Sequence, residues 1–147
     1  MFTRKITNTI TIVISLLLLT GCKTANSKQL AIAEKIMFSK PDSALRILQN
    51  IDTTTITTAK EQALYALLTT QAQDKNNINT TDHSLIEQAV NYYKDNQDKK
   101  RKMLSYYYMS RVLQNNETYS EAIISLLKAE NIALQMEDHF HLGLIYR

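Results

Sequence analysis

After residue 27, apolar residues recur every three or four positions, in blocks parted by short polar stretches. Leu30, Ala33 and Met37 fall on one helical face, which predicts a first helix over residues 28–38. Pro41 ends it and opens the next, because a first-turn N–H has no partner to lose, and Asp42 suits the positive helix start. Ala44, Leu45, Ile47, Leu48 and Ile51 give that helix its stripe. Residues 52–58 (DTTTITT) read as a loop. Thr58 and Glu61 have the spacing of a capping box and predict a helix from 59 to about 74, striped by Ala63, Leu64, Leu67, Leu68 and Ala72 with Tyr65 alongside. A polar loop (DKNNINTT) leads to Thr81 or Asp82 as the cap of a helix carrying Leu85, Ile86, Ala89, Val90, Tyr92 and Tyr93, and ending near 95–98. Two more periodic segments flank a polar break at 114–118. Thr118 and Glu121 form a second capping box, and Ala122, Ile123, Leu126, Leu127, Ala129, Ala133 and Leu134 are expected to line the inside. Asp138 and His139 mark a turn before a last apolar segment, 140–146.

The composition excludes a sheet. Gly21, Gly143 and Pro41 are the only turn formers of their kinds in 147 residues, and strands need many more. Alanine, leucine, glutamine, lysine and glutamate dominate and favour helix. The fold class is therefore all-α, at a length suited to one small domain. Tyr65, Tyr106 and Tyr146 lie 41 and 40 residues apart, each in an apolar helical segment (ALYALL, LSYYYM, GLIYR). Such a period points to helical hairpins that stack because one hairpin cannot bury both its faces.

Tyr106, Met109, Ser110 and Leu113, then Ala122, Leu126 and Ala129, have the spacing of the tetratricopeptide helix–turn–helix repeat. Ser110 stands where the motif has glycine, and Leu134 where the short repeat has proline. Residues 28–147 resemble the N-terminal half of tetratricopeptide-repeat lipoproteins of gut-type Gram-negative bacteria, carried by PDSALRILQNID, ALYALLTTQAQDKN, SLIEQAVNYYKDN and YYYMSRVL. The resemblance implies antiparallel hairpins stacked as an α-solenoid. In it Tyr106 would sit in the core. Tyr107, Arg111, Gln114 and Asn115 would face a concave groove, with Ala66, Thr70, Gln73 and Asp74 at the corresponding places on the earlier helix. That mixed surface would take an extended peptide or a helix, or else be plain solvated surface. Longer members of the family continue into a transmembrane helix and a cytoplasmic signalling or DNA-binding segment, neither of which appears here.

The first 22 residues read MFTRKITNTITIVISLLLLTGC. Arg4 and Lys5 precede an apolar run from Ile10 to Leu19 that is short for a bilayer span, so residues 1–21 read as a signal peptide. Leu19, Thr20, Gly21 and Cys22 resemble a bacterial lipobox, which implies cleavage before Cys22 and its lipidation, with residues 22–27 as a tether. A plain secretory signal or an uncleaved anchor would leave Cys22 an ordinary cysteine. As the only cysteine, it can form no intramolecular disulfide. The expected location is the bacterial cell envelope, lipid-anchored and facing the periplasm. Lys23 with no acidic cluster after it does not distinguish the inner from the outer membrane.

Charge and motifs limit the chemistry. The 17 basic residues fall to 15 without Arg4 and Lys5, against 14 acidic ones, so nothing favours nucleic acid as a partner. Residues 99–102 (KKRK) could meet an acidic partner or lipid headgroups, or simply be a solvated helix start. His139 and His141, two apart on a helix, point away from each other, and His83 is remote, so no metal site is expected. No phosphate-binding loop, nucleophile elbow or zinc-protease motif occurs. The expectation is no catalytic residue, no cofactor and no enzyme. The first reading is a membrane-anchored scaffold for a protein or peptide partner. The alternative is the N-terminal sensory region of a membrane-bound signalling or transcription-regulating protein. Leu142, Leu144, Ile145 and Tyr146 begin a helix without a C-cap, so either more chain follows or this end meets a partner.

Overall fold

The computed structural model describes residues 25–147, and the expected signal peptide, Cys22 and residues 23–24 lie outside them. Seven α-helices follow in order: α1 Ala25–Ile36, α2 Pro41–Gln49, α3 Ala59–Lys75, α4 Ser84–Tyr93, α5 Lys99–Asn115, α6 Tyr119–Gln135 and α7 His139–Ile145. A single 3-10 turn, Thr53–Thr55, precedes α3. Among the described residues there is no strand. Each helix packs on the next one in sequence, and α3 also packs on α1 and on α5. α3 is therefore covered on two sides. Leu68 and Ala72 belong to a core shared with α1 and α2, whereas Ala63, Ala66 and Leu67 belong to the larger core of α4 to α7.

The ends of the helices recur at a fixed interval. Thr58, Asp98 and Asp138 are N-caps 40 residues apart, and each accepts the N–H three residues on, from Glu61, Arg101 and His141. α3, α5 and α6 end alike. Asn77, Glu117 and Glu137 adopt positive φ, and the next residue's N–H closes back onto Gln73, Leu113 and Ala133. This is the left-handed stop that glycine usually supplies. Here non-glycine residues occupy it, so nothing in the composition announced these turns.

Two contacts bring distant parts together. The Arg101 guanidinium spans both Glu34 oxygens, at 3.1 and 3.0 Å, and reaches Asp98 at 2.6 Å. It thus ties α1 to the start of α5. Phe38, in the turn after α1, meets Phe140 of α7 edge-on at 5.6 Å, with the Lys75 ammonium 4.0 Å from its ring centre. The turn after the first helix thus lies against the start of the last.

Several expectations need correction. α1 already includes Ala25 to Ser27, assigned above to a tether; Asn26 is buried there and donates to Thr55, while the Ser27 hydroxyl donates to Glu61. α4 stops at Tyr93, before the expected 95–98. Thr118 makes no side-chain cap. Its backbone is bent to close the end of α5, and its hydroxyl turns back to Asn116 instead. Asp138 occupies the same double role yet caps, because its carboxylate reaches further. The inner stripe of α6 is Ala122, Ser125, Ala129 and Ala133, with Leu126 half-buried. Ile123, Leu127 and Leu134 face outward at 59, 57 and 53 % exposure. Small residues let α6 lie close against α5, and that rotation turns the larger side chains out.

Candidate functional site

The C-terminal end of α3, the middle of α5 and the end of α7 enclose an open groove of about 520 Å³. Asp74 and Lys75 come from α3, Tyr107, Tyr108 and Arg111 from α5, and Leu144 from α7; Asn77 and Arg147 complete the rim. The helical repeat of 3.6 puts Tyr107 and Arg111 one turn apart on one face of α5. Arg111 donates through Nε to Asp74 at 2.9 Å and through Nη1 to Gln114 at 3.1 Å. One carboxylate thus stands among three cations. Desolvation holds the Lys75 ammonium below its usual pKa, opposed by Asp74. Burial pushes the Tyr107 phenol up, with Asp74 adding to the shift and Arg111 and Arg147 opposing it. Tyr108 lies deeper, and burial raises its phenol further. Both tyrosines stay protonated at neutral pH and act as hydrogen-bonding groups, not as bases.

The residues expected to face a groove divide into two sets. Tyr107 and Arg111 line it, and Asp74 joins them. Gln114 braces Arg111. Asn115 and Gln73 instead hold the loop before α4: Asn115 donates to the Thr80 carbonyl at 3.1 Å, and Gln73 accepts from the Thr80 hydroxyl at 3.3 Å. Thr70 does not line it. It is buried, and its hydroxyl donates to Ala66 O at 2.9 Å, a bond within its own helix. Ala66 is buried too. Lys75, Asn77, Leu144 and Arg147 were not foreseen, because a repeat motif spaces core positions and says little about residues at helix ends. Of the motif positions, Met109, Ser110, Leu113, Ala122 and Ala129 are buried, whereas Tyr106 and Leu126 are half-buried against the same core. Ser110 donates to Tyr107 O, which satisfies its hydroxyl where the motif has glycine.

The basic run at the start of α5 divides likewise. Arg101 is committed to Glu34 and Asp98, while Lys99 and Lys100 are exposed. His139 is exposed and His141 is buried, with its Nδ1 2.6 Å from Asp138 and its Nε2 without a hydrogen-bond partner among the described residues. Among the described residues no three His, Cys, Asp or Glu side chains converge to hold a metal ion. None of the described helices is long and apolar enough to cross a membrane. Comparison with protein-family models, with curated proteins and with solved structures finds no significant match.

Proposed function

We propose that this chain is a non-enzymatic scaffold of the cell envelope, a tetratricopeptide-like stack of helical hairpins anchored through Cys22. It holds an extended segment of another protein in the groove of α3, α5 and α7. The observation that carries this reading is the groove itself. Its walls come from three helices, α3, α5 and α7, that start one 40-residue period apart, at caps 58, 98 and 138. A stack of such helices presents a continuous surface made of equivalent positions, and that is the geometry that suits a linear partner. The polar lining supports binding over catalysis, since the one carboxylate in it is engaged by Arg111. Lys75, Arg111 and Arg147 favour an acidic or carboxylate-bearing segment, with Tyr107 supplying contact area.

The test is photo-crosslinking in envelope membranes with a reactive analogue placed at Tyr107, against the same analogue at exposed Lys60. A discrete adduct at 107 that disappears in Arg111→Glu, and is absent at 60, is the expected result. Equal labelling at both positions refutes groove binding. The intact mass of the membrane-extracted protein decides the anchor separately: acylated Cys22 at the amino terminus is expected, and an unmodified or differently cleaved terminus refutes it.

A further inference from the structure

A second surface remains after the groove is assigned. On α6 the side chains of Tyr119, Ile123, Ile124, Leu127 and Leu134 are each more than half exposed, and Tyr146 beside α7 joins them. Ile123, Leu126, Leu127, Ile145 and Tyr146, with Glu130 among them, line a shallow, mostly apolar depression of about 190 Å³ between the two helices. Six large side chains at roughly 100 Å² of exposed area apiece make a patch on the order of 600 Å², at the upper limit for a monomer's surface.

We propose that this face of α6 and α7 pairs with the same face of a second copy of the chain, about a two-fold axis close to Leu127. The stripe spans residues 119 to 134, roughly 22 Å of helix, and Leu127 lies near its middle. An antiparallel pair therefore sets Tyr119 of one copy near Leu134 of the other, along a stripe that is apolar except at Glu130. Two such patches bury on the order of 1,200 Å², the lower bound of stable interfaces. The charges are mixed in sign: Glu130 lines the depression beside Tyr146, and Glu121 and Lys128 lie elsewhere on α6. They provide no cationic rim for an anionic lipid surface, which favours a protein occupant. Leu144 opens on the polar groove while Tyr146 lines the apolar depression, so pairing leaves the groove accessible.

Sedimentation of the full chain in detergent micelles, over a concentration series, tests this. A monomer–dimer equilibrium is expected. Leu127→Glu places two like charges at the axis and should weaken it roughly thirtyfold or more. Leu127→Gln should weaken it less, and Ile78→Glu, at an exposed site elsewhere, should leave it unchanged. Circular dichroism should remain helical in all three, since neither position is buried. A chain that stays monomeric throughout, or a dimer indifferent to both Leu127 substitutions, overturns the proposal.

Discussion

Arg101 offers the sharpest test of how α1 is held against α5. Its guanidinium holds Glu34 with two bonds of 3.1 and 3.0 Å and Asp98 with one of 2.6 Å. The side chains are 27, 40 and 32 % exposed. Exposed ion pairs contribute about 0.2–1 kcal/mol, and bidentate geometry places this one at the top of that range. Burial pulls the Arg101 pKa down, but the Glu34 and Asp98 partners more than offset it, so the net direction is up and the charge is secure. A double-mutant cycle on Arg101→Gln and Glu34→Gln should give a coupling of about 1 kcal/mol by urea denaturation. Arg101→Gln alone should cost more, about 1.5–2 kcal/mol, because Asp98 loses its partner as well. Arg101→Lys should recover only part, as an ammonium cannot span both carboxylate oxygens. Near 1 M salt, where the screening length falls to about 3 Å, the coupling should shrink visibly. Lys99→Gln and Lys100→Gln should stay within about 0.5 kcal/mol of the parent. A coupling under about 0.3 kcal/mol, or equal losses from all three basic residues, refutes the clamp.

Three further outcomes follow from the same geometry. Burial raises the Tyr93 phenol to about 12; the folded form then holds its proton more tightly than the unfolded one, so this group's contribution to stability is constant below pH 10 and falls between 10 and 12. Its share of the loss is about 2–3 kcal/mol, and Tyr93→Phe should reduce the fall by that much in denaturant melts across that window, while Tyr106, Tyr107 and Tyr108, whose phenols burial also raises, keep the rest. Thr58→Ala should cost about 1 kcal/mol and Thr118→Ala much less, since only Thr58 accepts a helix N–H; equal costs in thermal melts would mean that Thr118 caps after all. Ala129→Leu should overpack the contact of α6 with α5 and cost about 1–3 kcal/mol, while Leu127→Ala in dilute monomer should change stability by under about 0.5 kcal/mol. The reverse order would mean that α6 is turned the other way.

The α6 case shows where sequence pattern stops being sufficient. Leucine and isoleucine at 123, 126, 127 and 134 and alanine at 122, 129 and 133 both satisfy helical periodicity, and hydrophobicity alone selects the larger residues for the inside. Packing selects the smaller ones, because α5 already fills the interface with Met103, Tyr108, Met109 and Leu113. Among the described residues nothing covers the large outward side chains of α6. For α1, α2 and α3 no such competition exists. Their stripes, including Leu30, Ala33, Met37, Leu48, Leu67 and Leu68, were legible from spacing and are buried. Of the positions expected to face a groove, Tyr107, Arg111 and Asp74 line this one. Thr70 shares that periodicity but is buried, and its hydroxyl is spent within α3. Lys75 and Arg147 lie at or beyond helix ends, where helical spacing assigns no face. The contacts that join the first helix and its following turn to α5 and α7 are pairs far apart in sequence, Glu34 with Arg101 and Phe38 with Phe140. Local spacing has no access to such pairs, so it assigned the basic run at 99–102 to solvent or a partner, although one member of it fastens the first helix in place.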